Sequence, residues 1–393
     1  MSRNFLAKHH QVSEQNLMDK ANVSGPVAGT INLTIGDPDM VTDQRIIRDA
    51  FEDVLAGHTG YTHPQGDPEL RDAIRDFYRK AYGLNLDDSQ VFVCTAGNVA
   101  MYLAMQVLLD KGDEVLIPTP CFGSYFDQVE LSGGVPVAVP TREEEGFRVT
   151  TAALEAAVTP RTKALIFNTP CNPTGVCYGV KDLEVIADFA KRHDLIVVAD
   201  DIYTDISFDI PFTPICSLPG MMERSITINS FSKNYTMAGW RIGNMISTPE
   251  IISALTTFNN SVVFAAPSPS QRAALAALRH RDEVVPAVVE EYRRRVTYAA
   301  QRINALPGMR VLEPQGTFYL FPCVKPAGLT SAQATELLAK AGVLVVPGPA
   351  YGGEAGEGYL RISCTVPMEQ LKEAFDRIEA MIYSMTKAER EDP

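Results

Sequence analysis

The sequence predicts an α/β fold, with a mostly parallel sheet between helices in a large domain and a smaller α+β domain beside it. Three observations carry this. Short runs are apolar on both faces: Val115-Leu116-Ile117, Ala164-Leu165-Ile166-Phe167, Leu195-Ile196-Val197-Val198-Ala199 and Ile226-Thr227-Ile228. That is how strands buried in a parallel sheet read. Well-punctuated helical segments alternate with them. Finally, 393 residues exceed what one hydrophobic core usually serves.

The helices follow from their end signals. Asp67 supplies an N-cap and Pro68 a first helical position. Leu70, Ile74, Phe77, Tyr78 and Ala81 then share one face, and Gly83 ends the helix. Ser268-Pro269 opens a pattern that reads as one long helix to about residue 305, dense in arginine and glutamate and suited to bridging two domains. Thr330 with Gln333 makes a capping box, and Gly342 closes that helix. The C-terminal third mixes short strands and helices. The expected division is an N-terminal segment over 1–45 that joins the small domain, a large domain over 46–285 and a small C-terminal domain over 286–393.

Composition excludes several classes. A net charge of −13 argues against a nucleic-acid surface and against anionic membranes. No stretch approaches the length of apolar chain a membrane span needs. The polar start, Met1 to Lys20, lacks the apolar core of a secretory signal. Seven cysteines without CxxC pairs fit free thiols in a reducing cytoplasm. The six histidines lack metal-ligand spacing, so no metal is expected, and His9-His10 read as part of a solvated terminus.

Chemistry concentrates in five segments. Ser230-Phe231-Ser232-Lys233-Asn234, followed by Gly239-Trp240-Arg241, sets an amine beside two hydroxyls and a cation. An aldehyde needs the first and its phosphate the others. Thr95-Ala96-Gly97-Asn98-Val99 leads into the apolar helix Ala100 to Leu109; it is either a plain cap or a phosphate-binding helix start. Asn168-Thr169-Pro170-Cys171-Asn172-Pro173-Thr174-Gly175 is a proline-stiffened loop after a buried strand, a structural turn or a ligand loop. In Asp200-Asp201-Ile202-Tyr203, Asp200 either caps a turn or pairs with a protonated ring nitrogen. In Tyr359-Leu360-Arg361-Ile362-Ser363 a strand-borne arginine needs a partner, either a protein carboxylate or a substrate's.

From Leu33-Thr34-Ile35-Gly36-Asp37-Pro38-Asp39 to Arg361-Ile362-Ser363, these motifs in this order resemble the class I and II aminotransferases of fold-type I pyridoxal-phosphate enzymes. The resemblance implies pyridoxal 5'-phosphate as cofactor, held by Lys233 as a Schiff base, with Lys233 also moving the α-proton. It implies Asp200 at the pyridine nitrogen, with Asn172 and Tyr203 at the ring's 3-oxygen. Ser230, Ser232 and Arg241, with backbone groups of Gly97 and Asn98, would hold the phosphate. Phe122 matches the aromatic residue stacked on the ring. Arg361, aided by Gly36 and Asn172, would read the substrate α-carboxylate. Tyr61 matches a tyrosine reaching the neighbouring subunit's phosphate, so a homodimer is implied. The implied reaction is ping-pong amino transfer from an L-amino acid to a 2-oxo acid.

Departures bear on the substrate. Asn98 stands where some aspartate enzymes of the family carry lysine, and Phe122 where others carry tryptophan. Apolar, aromatic or broad donors with 2-oxoglutarate are therefore expected. An aspartate aminotransferase is the alternative, with Arg142 or another basic residue reaching the pocket, or a carbon–sulfur β-lyase on the same fold. Asp201 replaces a commoner glutamate and is expected to stand behind the site. A ligand sensor with an added DNA-binding unit is disfavoured by the acidic charge and the short stretch before Leu33.

Overall fold

The structure is a computed structural model and describes Phe5 and residues 29–391. His9-His10 and most of the expected N-terminal segment lie outside the described residues. In chain order the strands are β1 (Ile31–Asn32), β2 (Val91–Cys94), β3 (Glu114–Thr119), β4 (Val135–Pro140), β5 (Thr162–Asn168) and β6 (Ile196–Asp200). They continue with β7 (Ser225–Ser230), β8 (Gly243–Ile246), β9 (Tyr319–Leu320), β10 (Val343–Leu344), β11 (Val346–Pro347) and β12 (Leu360–Ser363).

Seven strands form the central sheet in the order β2-β8-β7-β6-β5-β3-β4. From β7 to β4 every pairing is parallel. All four apolar runs expected as strands lie in this part, with side chains covered on both faces. One face packs against Met101, Leu103 and Ala104 of the helix Ala96–Leu108, and part of the other against Leu183, Ile186 and Phe189 of the helix Val180–Arg192. β8 departs from the pattern and runs antiparallel to both β2 and β7. A parallel return needs a long crossover. The connection from β7 instead holds only the short helix Phe231–Asn234 and a single turn, Ala238–Trp240.

The helix Pro68–Tyr82 begins and ends as expected: the Asp67 side chain accepts from the Glu69 N–H, and Gly83 closes it at φ 69°. The capping box of the helix Ser331–Lys340 is also formed. The single long helix expected over 268–305 is two helices, Ser268–Arg279 and Arg281–Ala305. His280 is the break. Its N–H donates to the Ala276 carbonyl, closing one helix, while Glu283 and Val284 donate to the His280 carbonyl, opening the next. The His280 ring lies 2.7 Å from Asp49, which ties the corner to the helix Gln44–Leu55.

β11, β12 and β9 form a small antiparallel sheet. β1 pairs with β10, and the Ser363 N–H donates to the Leu33 carbonyl. The described chain thus begins by joining its own C-terminal third, which brings residues 34–37 over the edge of the large sheet's cavity. Among the described residues, no helix is long and apolar enough to cross a membrane.

Candidate active site

Three neighbouring parallel strands end together: β5 at Asn168, β6 at Asp200 and β7 at Ser230. Ligand crevices of α/β sheets form at such carboxyl ends. Here all three terminal residues line one cavity of about 310 Å³, whose wall also includes Gly36, Gly97, Asn98, Phe122, Asn172, Tyr203, Ser232, Lys233, Arg241 and Arg361. Of the residues expected at the site, Tyr61 alone stands apart, exposed, with its ring edge on Phe264 at 5.1 Å.

Lys233 projects from the short helix after β7, and its Nζ donates to the Gly36 carbonyl at 2.5 Å. Burial pulls its pKa down to about 8; the nearby Asp37 works against that, and Arg361 and Arg241 add to it. A lysine held there is neutral at pH values where a solvated one is charged.

Asp200 is 8% exposed, and one carboxylate oxygen, Oδ2, accepts from the Tyr125 hydroxyl. The other, Oδ1, has no partner. Burial pushes the carboxyl up to about 6, with the Tyr125 hydroxyl and the nearby Ile202 N–H opposing it. Just past the strand end, Asp201 is 1% exposed and pushed well up by burial and then by the Asp200 charge. It is absent from the cavity wall, as expected.

The proline loop is anchored by Asn168. Its Oδ1 accepts from the Asn172 N–H at 2.7 Å, and its Nδ2 donates to the Asp200 carbonyl at 2.6 Å. Asn172 Oδ1 in turn accepts from Arg361 Nη1 at 3.2 Å. Arg361 is 3% exposed on β12, with its other amine on the Thr34 carbonyl. Its guanidinium carbon lies over Tyr319 at 4.5 Å and over Tyr351 at 4.7 Å, and its Nε has no partner. Among the described residues no carboxylate pairs with it.

At the opposite end, the helix Ala96–Leu108 starts without a side-chain cap from Thr95. A β-carbon on Gly97 would stand 3.2 Å from the Ile202 methyl. The Ser230 hydroxyl donates to that of Ser232 at 2.9 Å, and Arg241 sits in the left-handed region at φ 54°. Uncapped helix amides, two hydroxyls and a guanidinium suit a phosphate. With the unpartnered carboxylate oxygen of Asp200, the sheltered amine of Lys233 and the unpartnered Nε of Arg361, the donor set fits pyridoxal phosphate and an amino acid carboxylate.

Sequence reasoning missed four contributors. Tyr125 stands on the short helix Ser124–Leu131, with its ring 5.7 Å from that of Phe122, which precedes the helix. Gln128, one turn on, donates to Asn98 at 2.7 Å. Tyr319 and Tyr351 reach the site only through the small sheet and carry no local signal. Arg142, considered for the pocket, is exposed and absent from the wall. Its place after β4 sends it outward, beside Glu143, which pairs with Arg310.

The likeness to known proteins runs along nearly the whole chain. Residues 28–378 match the family model for aminotransferase class I and II. An aspartate aminotransferase of Pyrococcus abyssi is 42% identical over 92% of this chain and 94% of its own. The aromatic-amino-acid aminotransferase 2 of Thermococcus litoralis is 41% identical, over 91% and 92% respectively. The crystal structure of an aromatic aminotransferase from Pyrococcus horikoshii OT3 superposes with a TM-score of 0.88 at 40% identity, covering 94% of this chain and 99% of that one. A fold-type I frame, a donor set fitted to pyridoxal phosphate and this breadth of likeness agree, and the chain belongs to the pyridoxal-phosphate-dependent aminotransferases of class I and II.

Proposed function

We propose that this aminotransferase moves the amino group of apolar or aromatic L-amino acids to a 2-oxo acid by a ping-pong reaction, as a cytoplasmic homodimer. One observation carries the choice of donor. Among the described residues, the cations lining the cavity are Lys233, Arg241 and Arg361. Assigned to the cofactor aldehyde, its phosphate and the substrate α-carboxylate, they leave no lining cation for an amino donor's second carboxylate. Ile35, Met101, Phe122 and Tyr319 offer apolar surface instead. Two relatives with aromatic names support the same choice. The aspartate name of a third favours the second reading, an aspartate aminotransferase.

The roles follow from chemistry and position. Bound pyridoxal phosphate supplies a reactive aldehyde and an electron-withdrawing ring. Arg361 binds the substrate carboxylate through two parallel N–H bonds and orients Cα toward Lys233. Lys233 Nζ would take the α-proton and return it two bonds away, on the far side of the amino nitrogen; burial supports this by leaving about half of the amine neutral near pH 8. Asp200 Oδ1 keeps a proton on the ring nitrogen, with Tyr125 holding the other oxygen in place. Asn172 and Tyr203 orient the ring oxygen. Exposed Tyr61 and Phe264, whose rings touch, support a second copy at this surface, with Tyr61 reaching its phosphate.

Replacing Lys233 by alanine should abolish both the visible absorbance of the bound cofactor and all transamination. Retention of either would sink the assignment. A panel of amino donors, read by conversion of bound cofactor to its amine form, tests the substrate. Response to leucine, phenylalanine or tyrosine is expected, and response to aspartate alone would favour the second reading. Pyruvate and a thiol released from cystathionine without an oxo-acid acceptor would instead mark a β-lyase.

A further inference from the structure

Tyr319 belongs to no motif singled out in the sequence, yet it touches three parts of the site at once. Its ring lies under the Arg361 guanidinium at 4.5 Å. Its hydroxyl accepts from the Tyr203 hydroxyl at 3.5 Å. A β-carbon on residue 36 would fall 1.6 Å from that same hydroxyl, so Tyr319 also fills the space that only glycine leaves at Gly36. Gly36 is the residue whose carbonyl receives Lys233. The side chain is 2% exposed and fixed by the pairing of β9 with β12, the strand that carries Arg361.

We infer that Tyr319 is a positioning residue with two separable duties: its ring holds Arg361 flat for the substrate carboxylate, and its hydroxyl sets the donor strength of Tyr203 toward the cofactor's ring oxygen. The ring duty follows from contact with two aromatic rings. A guanidinium carbon 4.5 Å from the Tyr319 ring and 4.7 Å from the Tyr351 ring is held in place, while its buried Nε keeps a donor unspent. The hydroxyl duty follows from hydrogen-bond chaining. When Tyr203 turns its proton to the ring oxygen, its own oxygen becomes an acceptor, and the Tyr319 hydroxyl is the donor within reach. A phenol that accepts one bond donates a stronger one. A donor to an anionic ring oxygen stabilises that anion and lowers the pH at which the cofactor chromophore loses its proton.

The inference rests on the roles proposed for Arg361 and Tyr203, and two variants separate its parts. In cofactor-loaded Tyr319→Phe the ring remains and the hydroxyl is gone. The pH midpoint of the visible band should rise by about half a unit to one unit, the worth of one hydrogen bond, while KM for amino donors stays near wild type. In Tyr319→Leu the guanidinium loses one face, and KM should rise about tenfold for every donor alike. An unmoved midpoint in Tyr319→Phe, or an unmoved KM in Tyr319→Leu, overturns the inference. Tyr319→Phe changes one atom and keeps the test in force if Tyr319→Leu fails to fold. Failure of the proposed function itself would show elsewhere, as a visible band that survives Lys233→Ala or a KM indifferent to Arg361→Lys.

Discussion

Asp200 illustrates how a single residue trades stability for chemistry. Its carboxyl titrates at about 6 in the folded chain against an ordinary value of 3.8, chiefly because burial disfavours the charge. Between those values the folded state binds the proton that the unfolded state releases. Stability of the cofactor-free protein therefore falls as pH rises from about 4 to about 6. Asp200→Asn removes that cost. The cofactor-free variant should be more stable than wild type above pH 6 by about 3 kcal/mol, and equal to it below about pH 4, when both are followed by urea unfolding. Its kcat should drop at least about 100-fold, because the amide no longer holds a proton on the ring nitrogen electrostatically. Equal stability of the two proteins at pH 7 would contradict the burial cost. Asp200 was legible in the sequence because it ends an apolar strand. Tyr125, which holds its second oxygen, was not, because a buried tyrosine on an amphipathic helix looks like ordinary core.

At the scale of elements, the start of the helix Ala96–Leu108 shows why a glycine precedes Asn98. The helix lacks a side-chain cap, and a Cβ at residue 97 already meets Ile202 at 3.2 Å. Gly97→Val would press against Ile202 and shield the first amides from a phosphate. Its Kd for pyridoxal phosphate, measured by absorbance titration, should rise about tenfold or more, with far-ultraviolet circular dichroism unchanged. An unchanged Kd would remove this helix start from the phosphate site. The strands β5, β6 and β7 were legible because burial on both faces leaves an unbroken apolar run. β8 was not: Gly243-Asn244-Met245-Ile246 is short and opens with two poor strand formers. The break at His280 left no trace either, since Arg279-His280-Arg281 contains neither glycine nor proline and the helical pattern runs across it.

Over the whole molecule, the cavity wall draws on residues from Thr34 to Arg361. Any group filling it bridges the large sheet and the C-terminal third. Pyridoxal phosphate at 100 times its Kd should therefore stabilise the protein by about 2.7 kcal/mol. That appears as a melting temperature that climbs with cofactor concentration. Lys233→Ala, which loses the amine link, should show a smaller rise at equal cofactor, and an equal rise would mean that the phosphate contacts alone account for binding. The sequence by itself determined the α/β class, the family and the cofactor, and it marked residues that the fold gathers around one cavity, because motifs at strand ends keep both spacing and residue type. The tertiary structure alone decided what surrounds them. Tyr319, Tyr351 and Tyr125 join Arg361 and Asp200 through strand pairing and helix packing. Contacts between residues distant in the chain leave no periodicity for a sequence to display.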